Sequence, residues 1–419
     1  MWGRELTDPQ LQLNTFAYPS WKPLPVAFTS VFSYFGSAAP ELWLFTARAG
    51  ALMAVVLAYR LGARLGGVVA GLVAAGGLLL LAGWLRYFSG GASEPLLVAL
   101  VLGAILRHLN GRHGQALGLG FAAALLRPEA WPFLLAYGVF YARGGWRQML
   151  VAGTLLALVP VLWLVPEWAG SGDFFHGAHL AKTSREARQA QRLSSPELAA
   201  ASRGIGLLPI PLIAAPAFAV IHAARRRLAL PLWVAAGAAG WIAVVVAMTA
   251  LGYAGIARFE LPAAALLCVL AGIGTAWLVE AAGGGTRRAL ALAAVALACI
   301  PFAYARAEAG SDRAAGTTAR DSLEDELPGV INRLGGRAEV LACRRPGIDG
   351  PFRTALAWHL DVAPALVNRA PARLAVRARR RVLTGFEGKV RLHHLRVARP
   401  ARRILRTGGW DVVATVGCE

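Results

Sequence analysis

The stretch ARFELPAAALLCVLAGIGTAWLV, residues 257–279, decides the architecture. Behind its opening Arg258-Phe-Glu260 it runs apolar for nearly the length that crosses a ~30 Å hydrocarbon layer at ~1.5 Å rise per residue. Trp43 to Tyr59 and Gly67 to Leu85 have the same character. The whole chain agrees, with 57% hydrophobic and 16% charged residues and a mean hydropathy of +0.52. These values exclude a single soluble core and make this an integral membrane protein.

The breaks between apolar stretches carry the topology. Net charge is +20, yet Lys22, Lys182 and Lys389 are the only lysines, so arginine supplies nearly all of the positive charge. Arg60 with Arg64, Arg107 with Arg112, Arg143 with Arg147, Arg225 to Arg227, and Arg287 with Arg288 fall in every second connection. Short cytoplasmic loops show this bias under the positive-inside rule. The remaining connections then face outward: Trp84 to Glu94, Arg127 to Pro132, residues 167–203, and Gly252 to Pro262. Threading the chain accordingly predicts a polytopic α-helical membrane protein of about ten spans, near 41–60, 64–85, 92–108, 114–126, 129–142, 147–166, 205–223, 229–251, 257–280 and 287–304. Both termini then lie outside. Spans 114–126 and 129–142 are short and divided by Pro128, and irregular backbone at membrane depth survives only where protein buries it or it lines a cavity.

The predicted organisation is a first extracytoplasmic loop over 1–40, a membrane domain over 41–304 with an outer loop at 167–204, a polar linker over 305–335 ending in a short helix from Ser322, and a small extracytoplasmic α/β domain over 336–419. Residues 1–40 contain no basic segment followed by an apolar one, so an apolar span ahead of residue 1 is the expected means of export, translocation of an unaided tail being the other route. In the last domain, apolar runs at 339–343, 374–376 and 411–415 suggest strands. Cys343 and Cys418 lie near strand ends and form a disulfide candidate in an oxidising compartment, or else pack as two buried thiols. Cys268 and Cys299 fall in apolar spans and only pack. No zinc spacing, phosphate loop or nucleophile elbow is present.

Four outward segments share an order and a sidedness: YPSWKPLP at 18–25, SEP at 93–95, LRPE at 126–129, and Gly252-Tyr253 followed by RFELP at 258–262. Together they resemble the GT-C superfamily of polytopic glycosyltransferases, which includes protein O-mannosyltransferases and aminoarabinose transferases. Over about residues 10–310 the chain is similar to an actinobacterial member, lacking a first transmembrane helix. The resemblance implies transfer of a hexose or pentose from a polyprenyl-phosphate donor to a cell-wall glycan, lipid or protein acceptor at the outer face. It also implies a general-base or metal-partner carboxylate in the first outer loop, with basic residues on the donor phosphate. No cofactor is otherwise implied, though a divalent cation is compatible with the pattern.

Glu5 and Asp8 are the carboxylates nearest the expected catalytic position, although Asp8 before Pro9 also suits a turn. Arg127 and Arg258 lead as phosphate ligands, because guanidinium binds phosphate bidentately and arginine between apolar segments is costly. Each could instead pair with Glu129 or Glu260, which otherwise serve the sugar. Arg86 is a further phosphate candidate, or part of an aromatic belt with Trp84 and Tyr87. Lys22, stiffened by Pro23, either contacts phosphate or scaffolds its loop. Glu94, after the flexible run 89–93, either caps a helix or binds a sugar hydroxyl. His176 and His179 precede Lys182, Arg185, Arg188 and Arg192 at spacings that predict one basic amphipathic helix on the lipid surface, gating lipid entry. The two histidines could share a phosphate or a metal, but no third ligand is evident.

The C-terminal basic region, Arg377, Arg379 to Arg381, Arg391, Arg396, Arg399, Arg402 and Arg403, would suit nucleic acid in the cytoplasm. Outside, its expected partners are membrane lipids or an acidic glycan, not nucleic acid. A transporter or flippase for lipid-linked sugar, or a noncatalytic sugar-lipid-binding relative, are the competing readings.

Overall fold

The computed structural model describes residues 2–8, 11, 13–15, 21–343, 346–367, 372–379, 397, 400–415 and 418, without the side chains of 313–315. It is mostly helical, with a small sheet at the C-terminal end. Residues 18–20 of the first motif, and Arg380, Arg381, Arg391, Arg396 and Arg399 of the basic region, lie outside the described residues.

Helix α1 (Trp2–Thr7) packs on α2 (Pro23–Ser33) so closely that a Cβ on Gly3 would lie 2.2 Å from the Thr29 carbonyl carbon. Proline at the start of α2 suits a position whose N–H has no intrahelical partner. Helix α3 (Ala39–Leu79) is two arms, because its backbone leaves helical geometry at Gly66 and Gly67. A Cβ on Gly71 would meet the Tyr59 carbonyl oxygen at 2.8 Å, whereas residues twelve apart in a straight helix are separated by about 18 Å. The chain therefore reverses there, and Gly67 at φ +79° supplies the turn.

After the short α4 (Trp84–Ser89) come α5 (Glu94–Leu109), α6 (His113–Leu126) and α7 (Trp131–Ala142). Pro128 ends α6 by forcing Arg127 into extended backbone, φ −147° and ψ 132°. Helix α8 (Trp146–Ser171) is followed by three shorter helices, α9 (His176–Lys182), α10 (Arg185–Ala190) and α11 (Pro196–Gly206). Then α12 (Ala214–Arg226), α13 (Ala229–Ala250) and α14 (Leu261–Ala281) complete the bundle around a nearly wholly buried α14. Its small residues permit this: a Cβ on Gly272 would lie 2.1 Å from the Ala70 oxygen, and one on Gly274 2.2 Å from the Ala215 oxygen. Backbones in apolar surroundings approach this closely only across glycine.

Three expectations change here. Among the described residues five helices, not ten, are long and apolar enough to cross a membrane, or six if the α11–α12 pair, bent by 92°, is one span. The shortfall has two sources: α3 takes in two expected spans as one reversing helix, and α5, α6, α7 and α12 have only 16, 14, 12 and 13 residues. The predicted basic amphipathic helix is two helices, because Ser184 interrupts it and its Oγ accepts the Ala187 N–H at 3.1 Å. The predicted linker is helical as well: α15 (Gly285–Arg333) runs without interruption from the apolar stretch into the C-terminal domain. Its Leu323, Leu327, Val330 and Ile331 form one face and enter that domain's core, which rewards helix over coil.

In the C-terminal domain α16 (Arg337–Ala342) replaces the strand expected at 339–343. Strand β1 (Pro346–Ile348), α17 (Arg353–Leu360), β2 (Leu374–Ala378), β3 (Ala401–Thr407) and β4 (Trp410–Thr415) build a sheet of order β1-β2-β4-β3, with β1 and β2 parallel and the other pairs antiparallel. Trp410 is fully buried against Phe352, and its Nε1 donates to the Leu323 oxygen of α15 at 3.0 Å. Cys343 and Cys418 are bonded, with Cα atoms 5.4 Å apart.

Candidate functional site

Helix starts and the Pro128 break bring segments far apart in sequence to one place. Glu94 is the first residue of α5, Arg127 and Glu129 straddle Pro128, Lys22 precedes α2, and Arg258 lies in the turn before α14. Glu94 Oε1 lies 3.6 Å from Arg127 Nη1, 3.9 Å from Arg258 Nε and 4.0 Å from Lys22 Nζ. Arg127 forks onto Glu129, its Nε donating to Oε2 at 3.0 Å and its Nη2 to Oε1. Phe259 lies beneath both guanidiniums, its ring centroid 3.8 Å from Arg127 Cζ and 5.4 Å from Arg258 Cζ. Lys22 Nζ donates to Ser93 Oγ at 3.2 Å, and burial pushes its ammonium down to about 8. It therefore remains mostly charged at neutral pH.

Charge explains the arrangement. Glu94 and Glu129 are 3% and 1% exposed, and two isolated carboxylates in such a place would be costly. Three cations around them reverse the balance. The contacts to Glu94 are longer than the ~2.7–2.9 Å of a closed charge-assisted hydrogen bond. One Glu94 oxygen thus holds three donor groups converged but beyond hydrogen-bond distance of it, while Arg127 is also held by its fork onto Glu129.

Other expected site residues fall into distinct places. Glu260 is fully buried, neither of its oxygens is hydrogen-bonded among the described residues, and a Cβ on Gly204 would lie 3.4 Å from its Oε2. Arg86 turns to Tyr87, donating to its Oη at 2.8 Å. Tyr87 in turn feels the charges of Glu94 and Arg258. His176 and His179 lie on α9, where His179 Nδ1 is 3.0 Å from Asp173 Oδ2 in an exposed pair. Among the described residues no group of three His, Cys, Asp or Glu side chains is placed to hold a metal ion.

Glu5 and Asp8 belong to another neighbourhood, beside the C-terminal domain. Adjacent Arg4 donates to the carbonyl oxygens of Trp358 at 3.1 Å, Val362 at 3.3 Å and Ala357 at 3.4 Å, and pairs with Asp361 at 3.0 Å. It thereby caps the carbonyl end of α17. Glu5 is buried, accepts the Asn14 N–H at 3.2 Å, and is pushed up to about 7 by desolvation. The backbone of Asp8 forms turns, its N–H donating to the Arg4 oxygen and its oxygen accepting the Leu11 N–H.

Sequence reasoning missed Ser93, Phe259 and the Arg4 contacts. The first two stand inside motifs already singled out, so proximity to Glu94 and Arg258 was an available signal. Arg4 carried none, because its partners lie more than 350 positions away. It also missed Glu167, whose buried carboxylate at the end of α8 lies against Gly177. No family model, curated protein or solved structure matches the chain.

Proposed function

We propose that this protein is a glycosyltransferase that moves a sugar from a polyprenyl-phosphate donor to a cell-envelope acceptor at the outer membrane face. The observation that carries the reading is the convergence of Lys22, Arg127 and Arg258 on one oxygen of buried Glu94. In the proposed reaction an acceptor hydroxyl attacks the anomeric carbon and gives its proton to a carboxylate. The bond from that carbon to the phosphate oxygen breaks, and the lipid phosphate leaves with the electron pair. The three cations stabilise the phosphate as its charge develops. Glu260, buried and without a hydrogen bond among the described residues, is the carboxylate we assign to the proton, in place of Glu5 and Asp8 beside the C-terminal domain.

Membranes containing the full chain, supplied with labelled polyprenyl-phosphate sugar and envelope extract, test this. Arg127→Ala and Arg258→Ala should each lower transfer by about 100-fold or more, and Glu260→Gln should abolish it while donor binding persists. Transfer at the unaltered rate in both arginine variants sinks the phosphate assignment. The bend between α11 and α12 favours a second reading, carriage of the lipid-linked sugar across the bilayer, since transporters build their sites from broken helices. Sugar-lipid crossing in protein-containing liposomes without added acceptor would select that alternative.

A further inference from the structure

A groove on the opposite, arginine-rich side of the bundle is independent of the charged cluster. Ala215 and Phe218 of α12, Thr275 and Val279 of α14, and Ala291 and Val295 of α15 line it, with Thr275 the polar exception. Helix periodicity places basic residues at its mouth. Arg287, Ala291 and Val295 recur at i, i+4 and i+8, so Arg287 stands one turn beyond the lining on the same face, with Arg288 flanking it. On α12, Phe218, His222 and Arg226 recur at the same interval. The His222 ring lies with its centroid 4.7 Å from that of Trp277, the two planes tilted by 43°, and stands between the lining and the exposed Arg226. Arg287 and Arg288 are exposed too.

An apolar slot that ends in an aromatic side chain and a crown of arginines has the chemistry of a phospholipid. Acyl chain suits Ala215, Phe218, Ala291 and Val295; phosphate suits guanidinium; Trp277 sits where indole favours the boundary between tails and head groups. The first turn of α15 starts at the same mouth, and its N–H groups without helical partners favour an anion there. Basic pockets between transmembrane helices select anionic over zwitterionic head groups. We propose that the α12–α14–α15 groove is a binding site for an anionic glycerophospholipid of the bilayer, one acyl chain in the groove and the phosphate on Arg226, Arg287 and Arg288. The site joins the otherwise lightly packed start of α15 to the bundle.

Native mass spectrometry of the full chain released from nanodiscs of phosphatidylcholine doped with phosphatidylglycerol tests it. The unaltered chain should retain phosphatidylglycerol in preference to phosphatidylcholine. Replacing all three arginines by alanine should lower that retention about a hundredfold. Ala291→Trp, which fills the slot and leaves the arginines in place, should lower it comparably, whereas Arg143→Ala with Arg147→Ala should leave it unchanged. Equal retention of both lipids by the unaltered chain overturns the proposal without recourse to any variant. So does wild-type retention by a folded Ala291→Trp, which would reduce the effect to surface attraction, or an equal loss in the Arg143/Arg147 control, which would reduce it to net charge.

Discussion

Arg127 and Arg287 carry the same guanidinium in opposite circumstances. Arg127 is 8% exposed, forked onto Glu129, stacked on Phe259 and drawn toward Glu94. Arg287 stands in the open at the start of α15. The first is surrounded by protein that had to be built to accommodate it; the second needs only water or lipid phosphate. Arginine abundance therefore says little about binding, while arginine burial, with carboxylates recruited to match, locates the place where the chain sustains an electrostatic cost.

The contrast can be tested by removing one side of each balance. Glu94→Ala strands converging cations in a buried site, and should cost about 3–5 kcal/mol of unfolding free energy, read by thermal or denaturant unfolding in detergent; a loss near zero would show the cluster to be wet and loosely held. Arg4→Ala is the intermediate case, since this half-buried guanidinium has three carbonyls and a half-exposed Asp361 as partners. It should cost about 1–3 kcal/mol and open the junction between α1 and α17 to limited proteolysis, so unchanged cleavage would argue against the clamp. Glu5 supplies a pH signature of the same junction. Its folded value near 7 exceeds the ordinary carboxyl value, so the folded state holds more protons between about 4.5 and 7, and stability falls as pH rises through that window. Glu5→Gln should flatten the unfolding profile there, and an identical slope in the variant would remove Glu5 as the cause. Arg287→Ala, at the exposed extreme, should change stability by less than about 0.5 kcal/mol in lipid-free detergent. A larger loss there would erase the distinction between the two arginines.

Much of this was legible in advance, for identifiable reasons. Apolar run length revealed membrane helices, and Pro128 marked a break, because both are local properties of the chain. Glu94, Arg127 and Arg258 stood out because charge beside apolar sequence is costly wherever the chain goes. Span number was not legible: the same residues that look like a span over 92–108 yield a 16-residue helix, and the sequence does not show how deeply it is seated. The α15 continuation was hidden by composition, since 305–333 is polar and its sparse apolar face at Leu323, Leu327, Val330 and Ile331 means helix only once a sheet is present to receive it. The role of Glu5 and Asp8 depended on resemblance rather than contact, and α1 turned out to abut the C-terminal domain.

At ~1.5 Å per residue, the 49-residue α15 is a strut of roughly 70 Å rooted in the C-terminal domain through Trp410 and Leu323. Arg4 ties that same domain to α1, which is pressed through Gly3 onto α2, and Lys22 stands at the head of α2. The domain is thus held at two points, by α15, which carries Pro301 and Pro328 within it, and by Arg4. A load that tilted the domain would therefore act on both ties, and Arg4 is the one that a single substitution removes.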